Sequence, residues 1–97
     1  MGEAFVASLK YRIRISKDAQ KGYERLPASK RKAVDRVFRD YLAVSPLQRV
    51  PGKTKQLKGA YKGIFQYDID DRYRIHYMVD NPERLVRIRY VGPHPAW

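Results

Sequence analysis

Arg74, His94, Asp68 and Lys55 are the side chains of this sequence best suited to chemistry. Arg74 sits in Tyr73-Arg74-Ile75-His76-Tyr77. Its guanidinium stays charged at any working pH and can hold two phosphate oxygens at once. His94 follows Gly92-Pro93, and an imidazole with an ordinary pKa of about 6.5 suits proton transfer near neutrality. Asp68 is either a base or an ion-pair partner for Arg74 or Arg87. Lys55 is normally protonated at neutral pH, so it serves as a base only if strongly desolvated. Its better use is phosphate binding, alongside Lys53 and Lys58. Each has a plainer reading beside the chemical one: a strand arginine on a polar sheet face, an exposed loop histidine, a solvated lysine. His76 lies on the Arg74 face and reads as supporting or structural.

Composition narrows the chemistry. The chain has no Cys, which excludes a disulfide scaffold, a thiolate metal site and a Cys nucleophile. With two His, a histidine metal cluster is not expected, and no cofactor is implied. The net charge is +11, so a polyanion is the expected partner: nucleic acid, an acidic protein, or both. The positive charge is clustered. Between Asp40 and Asp68 there is no acid, yet Arg49, Lys53, Lys55, Lys58 and Lys62 fall there. The segment from Arg84 to Trp97 also lacks acid and holds Arg84, Arg87 and Arg89. The two runs form either one electropositive cleft or a generally solvated basic surface. Membrane association is disfavoured, because no apolar run approaches the roughly 18 residues of a span and the cations are not gathered on one amphipathic helix. Met1–Ser8 is too short for a signal peptide, which leaves the cytoplasm as the default location.

These residues need a scaffold, and the hydrophobic periodicity supplies one. Leu9, Tyr11, Ile13 and Ile15 alternate with polar residues, predicting a half-buried strand. Ser16 is placed to cap a short helix carrying Ala19, Tyr23 and Leu26, stopped by Pro27. Ser29 is placed to cap a second helix, whose stripe is Ala33, Val34, Val37, Phe38, Tyr41 and Leu42 and which ends at Ser45-Pro46. Residues 46–59 read as a long loop. Three strands follow: 63–69, 72–79 and 85–91. Phe65, Tyr67, Ile69, Tyr73, Ile75, Tyr77, Val79, Val86, Ile88 and Tyr90 are assigned to the apolar face. Gln66, Asp68, Arg72, Arg74, His76, Arg87 and Arg89 are assigned to the other. The expected fold is α+β in the order β-α-α-β-β-β, a helical hairpin packed on one face of a small, largely antiparallel sheet. Residues 9–97 form a single domain, preceded by a loose arm over residues 1–8.

Leu57-Lys58-Gly59, Gly63-Ile64-Phe65, Tyr73-Arg74-Ile75-His76-Tyr77 and Gly92-Pro93-His94, after a basic β-α-α opening, resemble the RelE/ParE superfamily of bacterial toxin–antitoxin toxins. The resemblance covers residues 9–97. It implies a toxin of a type II toxin–antitoxin system with one of two activities. RelE- and YoeB-like members cut mRNA in the A site of the 70S ribosome; ParE-like members inhibit DNA gyrase and lack the nuclease residues. In the nuclease branch a base takes the 2′-OH proton, a cation stabilises the phosphorane and an acid protonates the leaving 5′-oxygen. No metal is needed. The resemblance then implies Arg74 as that cation, with His94 at the point where several such toxins carry a His or Arg. It places Lys55 where YoeB-like toxins carry a carboxylate base. Trp97 is set either to stack on an mRNA base or to fold back onto the domain. Lys53, Lys58, Lys62, Arg72, Arg87 and Arg89 would bind RNA. In either branch the implied partner is an acidic, partly disordered antitoxin segment that wraps the toxin. A basic RNA- or ribosome-binding protein without toxicity is the remaining alternative.

Overall fold

The computed structural model describes residues 10–93. The expected arm over residues 1–8, together with Leu9, His94 and Trp97, lies outside the described residues.

Alternation of isoleucine and arginine makes β1, Arg12–Ile15. Ser16 then turns the chain, its hydroxyl accepting from the Ala19 amide at 3.1 Å, and α1 runs over Lys17–Glu24. Pro27, not Ser29, is the N-cap of α2, Ala28–Val37. Proline suits a position just outside the first turn, where no amide hydrogen is required. The helix continues as one wider π turn, Phe38–Leu42, closed by the Ala43 amide on the Phe38 carbonyl at 2.9 Å.

The segment 46–59 departs from its reading as a loop. It contains a three-residue strand, β2 (Thr54–Gln56), and a 3-10 turn at Gly59–Tyr61 follows. A strand so short has too few alternating residues to show a period; it exists because β3 offers it a ladder. The remaining strands are β3 (Phe65–Asp68), β4 (Tyr73–Asp80) and β5 (Leu85–Pro93). The sheet order is β1-β5-β4-β3-β2. β1 pairs parallel to β5, and the other three pairings are antiparallel. The fold is therefore α+β, two helices on one face of a five-stranded open sheet.

The core lies between hairpin and sheet. Ala19, Leu26, Val34 and Leu42 from the helical side meet Ile75, Tyr77, Val86, Ile88 and Val91. α1 lies so close to β5 that a Cβ on Gly22 would stand 2.0 Å from the Val91 carbonyl oxygen. Lys30 at the start of α2 bridges to Asp70 in the β3–β4 turn. Asp70 also accepts from the Arg72 and Tyr73 amides, each at 2.8 Å. The Lys30 hydrogen bond, then that of the Tyr73 amide, holds the Asp70 carboxyl down at about 2.

Two outcomes test this packing. Gly→Ala within a helix ordinarily gains about 1 kcal/mol; here Gly22→Ala should instead cost at least about 2 kcal/mol, read from urea denaturation. Asp70 is more acidic folded than unfolded, so its contribution is complete above about pH 4 and fades as pH falls toward 2. Asp70→Asn should flatten the stability profile in that window. Because both partners are a third exposed, its cost at neutral pH should stay below about 1 kcal/mol.

Candidate functional site

In a sheet, residues opposite one another across a ladder share a face. The β2–β3–β4–β5 register therefore builds two rows on the face away from the helices. One row is Lys55, Gln66, His76 and Tyr90. In the next, Asp68 lies opposite Arg74 and Arg74 opposite Gly92, and the Lys53 carbonyl accepts from the Asp68 amide at 2.7 Å. Gln66, Arg74 and His76 are buried although they line an outer face, at 5, 9 and 3 % exposure.

Buried polar groups need partners, and here they find one another. The Gln66 side-chain amide donates to Asp68 Oδ1 at 2.7 Å. That fixes the Gln66 oxygen toward His76 Nε2, 2.9 Å away. An amide oxygen only accepts, so His76 must donate from Nε2. Arg74 Nε stands 3.7 Å from the same Asp68 oxygen, too far for a hydrogen bond, and has no hydrogen-bond partner. Arg74 Nη2 donates to the Asp71 carbonyl at 3.4 Å. The network thus holds a guanidinium beside one carboxylate without saturating it.

Tyr90 corrects the sequence reading. It was assigned to the apolar face, but the ladder slips between His76 and Tyr77. His76 pairs with Tyr90 and Tyr77 with Ile88, leaving Arg89 as the extra residue of a β-bulge. The slip turns Tyr90 to the polar face, 5.5 Å from the His76 ring between centroids, and puts Val91 in the core at 1 % exposure. Burial raises the Tyr90 phenol pKa and the Arg74 charge opposes it. The Tyr90 hydroxyl donates to the Pro93 carbonyl. A Cβ on Gly92, at φ +153°, would lie 3.1 Å from that hydroxyl. No alternation rule anticipates a bulge; the sequence signal, in retrospect, is the Tyr90-Val91 pair breaking the period.

The other assigned residues divide. Arg87 and Arg89 are exposed on this face, Arg89 Nη1 reaching Met78 Sδ at 3.3 Å. Arg72 is not on it: the strand begins at Tyr73, and Arg72 is exposed in the Asp70 turn. Lys62 is exposed in the turn before β3. Lys58 and Arg49 border a hollow of about 690 Å³ that also reaches Lys55 at the sheet edge. Tyr41, Leu47, Phe65 and Tyr77 line that hollow, and Leu47 is half exposed. Inside it the Tyr41 and Tyr77 hydroxyls donate to the Gln48 and Pro46 carbonyls at 2.6 and 3.2 Å, and burial pushes both phenols up. His94 and Trp97 lie outside the described residues; Pro93, the residue before His94, pairs with Tyr73 beside Arg74. Among the described residues no group of three or more His, Cys, Asp or Glu is arranged to hold a metal, and no helix is long and apolar enough to cross a membrane.

Solved structures share this architecture. The toxin–antitoxin complex RelBE2 of Mycobacterium tuberculosis matches with a TM-score of 0.74 and 25 % identity, over 88 % of this chain and 99 % of that one. The chain has the fold of the RelE/YoeB/ParE-type toxins. The archaeal RelE–RelB complex from Pyrococcus horikoshii matches at 0.70 and 25 % identity, over 90 % of this chain and 98 % of that one. The YoeB/ParE toxin from Agrobacterium tumefaciens matches at 0.74 and 20 % identity, over 87 and 99 % of the two chains. No protein-family model matches the chain, and no curated protein matches it in sequence. Several of these neighbours are complexes of two proteins, among them the RelBE2 toxin–antitoxin complex, the archaeal RelE–RelB complex and a YoeB–YefM complex from Staphylococcus aureus.

The buried network has a measurable cost of disruption. Gln66→Leu should strand the His76 donor and loosen Asp68, lowering stability by about 1–3 kcal/mol in denaturant titration, while Lys62→Ala at an exposed site should change it by less than about 0.5 kcal/mol.

Proposed function

We propose that this chain is the toxin of a type II toxin–antitoxin system and acts in the cytoplasm as a ribosome-dependent mRNA endonuclease. The observation that carries the reading is Arg74: a nearly buried guanidinium on a helix-free sheet face, incompletely satisfied by Asp68, with Lys55 at the sheet edge of the neighbouring row.

In this reading the reaction is transesterification at a 2′-hydroxyl. The 2′-oxygen attacks the phosphorus, its proton passes to a base, and the 5′-oxygen leaves with a proton from an acid. The products are a 2′,3′-cyclic phosphate and a 5′-hydroxyl. Arg74 stabilises the extra negative charge of the phosphorane, and burial strengthens that interaction by excluding water. Asp68 is held by Gln66 and lies against Arg74, which favours its use as the partner that aims the guanidinium over its use as base. Lys55 is exposed on an edge strand and fits a phosphate contact, with Lys53, Lys58, Lys62, Arg72, Arg87 and Arg89 as further RNA contacts. His94 is assigned the proton transfer to the leaving group, and Trp97 a stacking role on an mRNA base.

A cognate antitoxin is part of the proposal. The apolar hollow bordered by Arg49, Lys55 and Lys58 suits an acidic segment with apolar anchors better than it suits RNA.

Primer extension on cellular mRNA after brief induction should give discrete cuts in translated regions. Arg74→Ala and His94→Ala should each lower cleavage at least about 100-fold and relieve growth arrest with the fold intact by circular dichroism. Inhibition of purified gyrase with cellular mRNA uncut would overturn the nuclease reading in favour of a ParE-like toxin.

A further inference from the structure

Asp68 Oδ1 is approached from two sides. The Gln66 side-chain amide reaches it at 2.7 Å, Arg74 Nε only at 3.7 Å. Electrostatics alone would give the reverse order. Arg74 and Asp68 are cross-strand partners, Arg74 is buried, and a guanidinium beside a carboxylate ordinarily closes to about 2.7–2.9 Å, often through two nitrogens at once. Here the neutral donor holds the short bond. The charged one stands off, with its buried Nε lacking a hydrogen-bond partner. The strand register explains how. Gln66 and Asp68 are two residues apart on β3 and share a face, so the amide of one lies along the strand onto the carboxylate of the other. His76, opposite Gln66 on β4, donates from Nε2 to the amide oxygen at 2.9 Å. With that oxygen tied, the amide nitrogen is fixed toward Asp68. An unpaired buried nitrogen lowers stability, and the fold retains one at Arg74 although a carboxylate stands opposite.

We propose that Gln66 is a positioning residue for the reaction at Arg74: its amide, anchored by His76, occupies Asp68 Oδ1 and keeps Arg74 from closing into a bidentate ion pair. The catalytic consequence rests on the nuclease reading; the spacing of the side chains does not. A closed pair would engage Nε and one Nη group with Asp68 and commit the guanidinium to a partner inside the protein. Held apart, Arg74 keeps both Nη groups for two phosphate oxygens, since Nη2 has only the long 3.4 Å bond to the Asp71 carbonyl. Asp68 stays near enough to orient the group and offset its burial without taking up its donors. A phosphodiester carries one negative charge and the phosphorane two, so an undiverted guanidinium acts most strongly in the transition state. Loss of the Gln66 amide should therefore slow the chemical step more than it weakens binding.

Gln66→Met keeps the length of the side chain and removes the amide. Two readouts compare it with the parent, both on the full chain. In nitrogen–proton NMR spectra the Arg74 Nε–H signal, assigned by its loss in Arg74→Lys, should move downfield in the variant as Asp68 closes on it. In cleavage of mRNA on programmed 70S ribosomes, kcat should fall at least about tenfold while KM changes less than about threefold. Asp68→Asn is slower in itself; in that background Gln66→Met should alter kcat less than about twofold, because no carboxylate remains to close on Arg74. His76→Phe keeps a ring against Tyr90 and removes only the anchor of the amide. It should move both readouts in the same direction, with kcat down at least about threefold, and it decides the matter where Gln66→Met does not fold. An Nε–H signal that stays in place overturns the proposal. So does a shifted signal with the parental kcat, or a loss of kcat as large in the Asp68→Asn background as in the parent, which is the mark of a merely structural residue. If the parent cuts no mRNA while the Nε–H signal still moves, the nuclease reading falls and the spacing by Gln66 stands.

Discussion

Burying one guanidinium on a sheet face that no helix covers is the constraint around which the rest of this domain is arranged. A charge withdrawn from water needs compensation, and Arg74 receives it from Asp68 and from the Asp71 carbonyl. Asp68 is in turn oriented by Gln66, and Gln66 by His76. The Gln66–His76 and Asp68–Arg74 links exist because antiparallel registry sets those β3 and β4 residues opposite one another. The neighbouring strand contributes through its irregularity: the bulge at Arg89 delivers Tyr90 beside His76 and lets Gly92 lie opposite Arg74. The outer face is thus a supported polar layer with its own internal order.

The two faces of the sheet divide two physical tasks. The helical side holds the apolar core, and beyond the helices it leaves a hollow in which aromatic rings and Leu47 remain accessible under a basic rim. That combination suits a partially apolar, negatively charged protein segment. The outer side carries charge with little exposed apolar surface, which suits a phosphate backbone. The two faces of one basic domain therefore present different chemistries.

The limits of sequence reading follow from the range of the interactions involved. Alternation and helical periodicity are local, and they placed both helices, the three strands after residue 62 and the inward faces of Ile75, Tyr77, Val86 and Ile88. β2 escaped because three residues cannot display a period. Tyr90 was put on the wrong face because a bulge shifts parity without altering composition. Arg72 was counted as strand, whereas Asp70 captures its amide in the turn. The polar face was legible as a set of residue types, but its burial was not, since Gln66, Arg74 and His76 look like solvent-facing residues until their partners are known.

Residue order alone determined the α+β architecture, the polar and apolar character of most strand faces and the excess of positive charge, because each depends on side-chain chemistry and a local repeat. Tertiary structure decided which strands are neighbours. The return of β5 to lie parallel to β1 brings Arg14 to Arg87 across a sequence separation that no local pattern spans. The same sheet packing leaves only glycine room at position 22 and turns Tyr90 outward. Those outcomes come from long-range contacts, which form only once the chain has closed on itself.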